Sequence, residues 1–456
     1  MINIPVLIVL LIITILTLHK PKSFLFFVIV TFFAGIRIGA QLTAFEVLTP
    51  ILVIYILLLK FNYKEYRAPK VYKKVYVWLL LFVVLLTMFY RGIGFQALGS
   101  EKIGGIFYVR IIDSLFLLIV FSDTQIKGVN WKALVICFLC MAIVPFFSDV
   151  LYFFSRGLID FSNIFQGATT ITQNLQNFDE GQNLFRIQSG ATAGINLLFI
   201  NFLVTQKNKK VIELNNWFIF LIILSIILVG ISGHRLAFIE LIILIFLFYY
   251  LDYRTRLKLR FILKLSIFSI ITIFVIAFFS SELPESFARI ISFIPFVKTK
   301  AGIEADATGS VDFRLIMWAM SLTEIPKYLI IGKGLAVKPI QSIMTNSGYY
   351  SSLEWFFDMG ALHNGPLGML LNFGVAGFIF GIAVFVHYLK KSINLTKKLA
   401  GTGHYLVAKV LIINAAINVI VFILFYGDMQ TNFPDVIFSL AFIALFLNSV
   451  LNENNI

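Results

Sequence analysis

Charge is scarce in this chain of 456 residues: Asp, Glu, Lys and Arg together make up 13%, about half the share usual in a soluble domain. A surface that poor in charge excludes an ordinary water-soluble fold. Cysteine is nearly absent too. The two present, Cys137 and Cys140, lie about one helical turn apart inside an apolar run. That placement excludes a disulfide scaffold and reads as small helix-packing residues rather than a redox or metal pair. Histidine numbers five, too few and too scattered for a His-rich zinc cluster. Also missing is the alternation of apolar and polar residues that a membrane barrel needs. Trp217 to Val229 (WFIFLIILSIILV) runs apolar without a break.

What is there is hydrophobic: 59% of residues, with a mean hydropathy of +0.93. A bilayer core takes roughly 20 apolar residues per helix, and inside hydrocarbon only helices satisfy every backbone polar group within one segment. The pattern predicts an all-α polytopic transmembrane bundle of about 12–13 helices. Spans are expected near 4–18, 24–40, 45–59, 75–90, 106–121, 131–149, 190–205, 217–231, 236–251, 265–280, 365–388, 405–426 and 434–450. The N-terminus lacks a basic region and a cleavage site, so the first span reads as a retained helix. Three regions follow: N-terminal helices over 1–280 with a polar outer loop near 151–188, a large loop over 281–364, and C-terminal helices over 365–456.

The net charge of +14 is a signal of orientation rather than of nucleic-acid binding. Lysine and arginine gather in short loops, Lys60 to Lys74, Lys207 to Lys210, Arg254 to Lys264 and Lys390 to Lys398. Such loops face the cytoplasm. The two long loops therefore face outward, and loops of that length are usually functional. Within the second, Phe313 to Leu322 has helical apolar spacing with Asp312 placed to cap it.

Two histidines, His234 and His363, fall on the outer side, together with Arg37, Arg91, Arg156, Arg186, Arg235, Arg289 and Arg314. Arginine suits bidentate pairing with phosphate oxygens, and a histidine beside such a group is a candidate base. Each has a plainer reading. Arg235 would also serve as an interfacial residue, Arg314 as a partner for Asp312 or Glu324, and His363 as a loop residue before a helix. Lys333 stands between two glycines as a turn residue or an anion contact, and Glu240 lies inside a span, where an acid is usually partnered. Arg110 and Asp113, three apart on one face, read as an intramembrane ion pair. Glu304-Ala305-Asp306 mimics an acidic metal pair but sits in a Gly/Ala/Thr/Ser-rich stretch that reads as loop. No metal and no cofactor are expected.

Four segments carry a resemblance. They are Arg186-Ile187-Gln188-Ser189-Gly190; Ser232-Gly233-His234-Arg235-Leu236-Ala237; Arg314 and Trp318 with the later Gly332-Lys333-Gly334; and His363-Asn364 before Leu371-Asn372-Phe373-Gly374-Val375-Ala376-Gly377. In this order and on one side of the membrane they resemble the O-antigen ligase and polymerase superfamily of bacterial membrane proteins. Thr43 to Leu59 fits as well. His234 departs from the pattern, standing where that family more often has serine. The resemblance implies glycosyl transfer from a polyprenyl-pyrophosphate-linked glycan, without metal, at the periplasmic face of the bacterial inner (plasma) membrane. It implies that Arg235 and Arg314, with Arg186 as a third contributor, hold the donor pyrophosphate, and that His363 serves as catalytic base. His234, Glu240, Asn364 and Lys333 are then sugar contacts or supports. The implied partners are donor and acceptor lipid-linked oligosaccharides, membrane lipid and a chain-length regulator protein, with no nucleic acid. A surface-polysaccharide polymerase is the first expectation and a ligase, transferring to lipid A core or another acceptor, the second. A flippase for lipid-linked oligosaccharide is the third; it would favour internal repeats and midplane charges, neither of which the sequence shows.

Overall fold

The computed structural model describes residues 3–38, 42–69, 71–95, 102, 104–155, 158–159, 161, 164–165, 187, 189–206, 216–250, 285–292, 301–336, 357 and 362–453. Among the described residues the regular structure is helical throughout, with isolated bridges in place of strands. The helices are α1 (Ile4–Leu18), α2 (Pro21–Phe33), α3 (Ala44–Asn62), α4 (Val75–Arg91), α5 (Gly105–Phe121), α6 (Trp131–Met141) and α7 (Val144–Phe154). They continue with α8 (Gly190–Thr205), α9 (Asn216–Ser232), α10 (Arg235–Tyr250), α11 (Glu285–Ile291), α12 (Ala301–Glu324), α13 (Gly365–Lys398), α14 (Tyr405–Leu424) and α15 (Asn432–Glu453). Among the described residues α3, α6 with α7, α13, α14 and α15 are long and apolar enough to cross a membrane. The protein is an all-α, multi-pass membrane protein.

Most expected spans coincide with helices to within a few residues. The span expected at 265–280 lies outside the described residues. Three details differ from the sequence expectation. The span at 131–149 is two helices, because the chain turns at Ala142 and Ile143 and Pro145 opens the second. The lysines at 390–398, expected in a loop, form the last turns of α13. Finally, α12 starts at Ala301, so Asp312 lies inside the helix rather than at its cap, and Glu304 and Asp306 are helical.

The chain divides into two compact units. The first comprises Met1–Ala44, Asn130–Ser310 and Ala400–Ile413. In it α8 and α9 pack along most of their length. Gly190 and Gly194, one turn apart, make this possible: a Cβ at either would press on the carbonyls of Leu228 or Ser225, at 2.6 and 2.7 Å. The short α11 docks on α9 by seating the Phe287 ring where Gly230 has no side chain.

The second unit comprises Phe45–Val129, Val311–Leu399 and Asn414–Ile456. Its centre is α15, buried along nearly its whole length and packed on α5 and α13. Polar side chains pin its last turns: Asn448 donates to the carbonyls of Phe121 (3.2 Å) and Ser122 (3.0 Å), and Ser449 Oγ accepts from Ile126 N at 2.9 Å. Nearby Lys60 and Lys74 both pair with Asp123. The Tyr72 and Tyr388 rings stack at 5.0 Å, and their hydroxyls bond Ser392 and Ser122.

Within this unit α13 is broken. Gly374 adopts φ 69°, ψ −171°, so the helix stops near Phe373 and resumes at Val375. The segment 329–334 fills the gap with backbone hydrogen bonds: Lys333 N to Leu371 O (2.7 Å), Gly334 N to Asn372 O (3.0 Å) and Val375 N to Leu329 O (2.8 Å). Three backbone groups of α13 at the break are thus met by protein, as a bilayer demands of a broken helix. Arg91 ties down the far side of the segment, donating to the carbonyls of Gly332 (2.8 Å) and Ile331 (2.9 Å).

Candidate functional site

In the second unit, His363 follows buried Leu362 and precedes α13. It is the one non-glycine residue with positive φ among those described (52°), a conformation that costs energy and tends to be kept where function needs it. Three contacts hold it. Asn364 caps α13, its Oδ1 accepting from Leu367 N at 3.1 Å. Trp318 of α12 donates from Nε1 to the Leu362 carbonyl at 3.1 Å. The imidazole itself stacks on Tyr426, centroids 4.3 Å apart and planes 20° off parallel.

Arg314 approaches from α12 with its guanidinium 5.8 Å from the centre of the same Tyr426 ring. Phe313 adds a tilted ring contact to His363 at 6.4 Å. Met317, Ile325, Phe357, Leu362 and Leu371 make a buried apolar floor beneath, with Phe313 and Trp318 packed against it. The α14–α15 connection contributes Tyr426 and Asp428. It lies close because Gly427 abuts Gly365, where a Cβ would stand 2.7 Å from Gly365 Cα and N.

Asp428 is held by its own turn: its Oδ1 accepts from Thr431 N (2.7 Å), Gln430 N (3.0 Å), Thr431 Oγ1 (3.0 Å) and Asn432 N (3.4 Å). Burial lowers the His363 imidazole from its ordinary value; Asp428 opposes this and Arg314 adds to it. The ring is therefore neutral at physiological pH, the state in which it accepts a proton. Burial, reinforced by Asp428, pushes the Tyr426 hydroxyl up to about 12, so Tyr426 remains protonated. Lys333 belongs to the segment that clasps α13, its ammonium 4.4 Å from the centre of the Phe357 ring.

In the first unit the turn between α9 and α10 carries the other candidates. Gly233 has φ 64°, and Ser232 Oγ accepts from His234 N at 3.2 Å, which shapes the turn that starts α10 at Arg235. Arg235 Nε donates to the Arg289 carbonyl at 3.1 Å, and Arg289 Nη1 donates to the Gly233 carbonyl at 3.1 Å. Two half-buried guanidiniums are thereby interlocked, one through the other's carbonyl and one through that of Gly233, which gathers cationic charge at one turn. Glu240 lies half-buried further along α10. Arg186 falls outside the described residues, although Ile187, next in sequence, donates its N–H to Ile231 O at 3.2 Å.

The structure thus brings His363, Asn364 and Arg314 into one cluster and His234 and Arg235 into another. Sequence reasoning missed Tyr426 and Asp428, and placed Arg289 on the outer side without assigning it to a site. The available signal was Tyr426-Gly427-Asp428, a polar turn on the same side as His363 by the parity of the spans. Among the described residues no cluster of three or more His, Cys, Asp or Glu is arranged to hold a metal ion.

Residues 220–382, which include Arg235, Arg289, Arg314 and His363, match the family described as O-antigen ligase. No curated protein matches the chain.

Proposed function

We propose, from the place of this chain in the O-antigen ligase/polymerase superfamily, that it is a surface-polysaccharide polymerase working at the extracytoplasmic face of the bacterial inner membrane. The match of residues 220–382 supports an O-antigen ligase/polymerase-type, glycosyltransferase-like function. One observation carries the assignment of the transfer site: a strained, half-buried His363 stacked on Tyr426 with Arg314 over the same ring.

The donor is a glycan joined through its anomeric carbon to polyprenyl pyrophosphate, and the acceptor is a hydroxyl of another lipid-linked unit. The hydroxyl oxygen bonds to the anomeric carbon while the carbon–oxygen bond to pyrophosphate breaks. Its electron pair leaves with the polyprenyl pyrophosphate, and the hydroxyl proton passes to His363. Negative charge grows on the leaving pyrophosphate. A guanidinium suits that charge, because an oriented donor stabilises it without reorganising; the candidates are Arg314 in one unit and Arg235 with Arg289 in the other. His234, Asn364, Lys333 and Glu240 support these groups or touch sugar, and Arg186 is a further cation for the donor. A chain-length regulator protein is the partner expected of a polymerase.

The test is purified protein with a polyprenyl-pyrophosphate-linked oligosaccharide, read as a product ladder. Wild type gives a ladder; Arg235→Ala, Arg314→Ala and His363→Ala insert normally and give none. Normal ladders from all three would overturn the assignment. The ligase reading is favoured by the description of the matching family. It predicts no ladder but transfer of preformed glycan to an added lipid A core acceptor.

A further inference from the structure

The α14–α15 turn is built in a way that the transfer reading does not require of a mere connection. Gly427 has no side chain where it abuts Gly365, and a Cβ at Gly365 would in turn press on the Phe422 ring and carbonyl. The two loops therefore meet backbone to backbone. This contact fixes the residues on either side of Gly427: Tyr426, whose ring stacks on the imidazole, and Asp428. Asp428 cannot swing away, since one of its oxygens receives four donors from its own turn. His363 Nδ1 is buried and has no hydrogen-bond partner among the described residues, so the ring is oriented by stacking and backbone rather than by a bond to that nitrogen.

We propose that Asp428 is the positioning residue of His363: a carboxylate locked in its turn and docked by the Gly427–Gly365 contact, which favours the imidazolium formed when the acceptor hydroxyl loses its proton. The inference rests on the reading of His363 as the base, and deepens it. The charged and titratable groups that face the imidazole are Arg314 from α12 and Tyr426 and Asp428 from the α14–α15 turn. Arg314 and Asp428 pull the imidazole in opposite directions. A base beside pyrophosphate-binding arginines loses affinity for its proton, and Asp428 offsets that loss at a fixed position.

Asp428→Asn is the clean probe, because an amide oxygen at Oδ1 keeps all four turn contacts while the charge disappears. The measurement is the titration of His363 by NMR in histidine-labelled full-length protein without substrate, its resonance assigned by loss in His363→Gln. The midpoint falls by about 0.5–1 pH unit in Asp428→Asn and returns toward wild type in Asp428→Glu. If the Asn protein does not insert, Asp428→Ser supplies the same loss of charge. A midpoint that stays in place, or rises, in a folded variant lacking the carboxylate overturns the proposal. The readout needs no turnover, so it is separate from the ladder assay of His363→Ala, which decides whether the imidazole is the base.

Discussion

Three influences meet on the imidazole of His363, and their balance has a consequence for pH. Burial lowers its affinity for a proton below the ordinary value of 6.5, Asp428 works against that, and Arg314 works with it. A base must be neutral to act, so activity is retained as pH falls until the lowered midpoint is crossed. The acid limb of transfer rate against pH is therefore expected below 6.5, and in substrate-free protein Arg314→Gln is expected to raise the His363 midpoint; a limb above 6.5 in the wild type would contradict this. Arg289 gives a second expectation. It interlocks with the Arg235 turn, so Arg289→Ala should lower transfer about 10- to 100-fold, with Lys recovering less than half of the loss because the forked geometry is gone. His363, Arg314 and Arg235 could be singled out in the sequence because charge and sidedness isolate them. Tyr426 and Asp428 are marked only by a polar turn on the same side as His363, which does not assign them to a site. Tyr426 looks like the end of an apolar span, and its role depends on the Gly427–Gly365 contact between segments some 60 positions apart, which no local pattern encodes.

At the scale of elements, hydropathy finds the spans but is blind to a break inside one. The run from Gly365 is apolar on both sides of Gly374, and nothing in its composition marks the point where the helix stops and accepts the 329–334 clasp. Gly374→Ala adds a side chain at φ 69°, with the Leu329 carbonyl 2.6 Å from the new Cβ. The left-handed backbone alone costs about 1–2 kcal/mol, so thermal unfolding in detergent should show a destabilisation of at least that size. Arg91→Leu removes the donors to two carbonyls of the clasp, at about 1–3 kcal/mol for each buried acceptor left unmet. A different kind of link joins α3 to α5, where Glu46 pairs with Arg110. The sequence suggested Arg110 by its spacing from Asp113, but a partner on another helix was out of reach of any spacing rule. Arg110→Ala should cost about 3–5 kcal/mol by leaving a buried charge, and Glu46→Gln with Arg110→Met should recover most of it.

For the molecule as a whole, the sequence carries an argument about sidedness that the helices make sharper. Lysines at 390–398 belong to the end of α13, so that element, interrupted at Gly374, runs from the His363 turn to a cluster of basic residues. A single span has its ends on opposite sides of the bilayer, and the positive-inside rule assigns the lysine end to the cytoplasm. His363 is then expected outside, together with Asp428, which the Gly427–Gly365 contact holds beside the same helix start. The prediction follows from that one helix. With Cys137 and Cys140 replaced by serine, a cysteine at exposed Thr431 should react with a membrane-impermeant maleimide added to intact cells whose outer layers admit it. A cysteine at exposed Lys64, in the loop whose neighbours Lys60 and Lys74 bind Asp123, should react only after permeabilisation. The opposite pattern would put the imidazole on the cytoplasmic side and contradict the extracytoplasmic transfer proposed for His363.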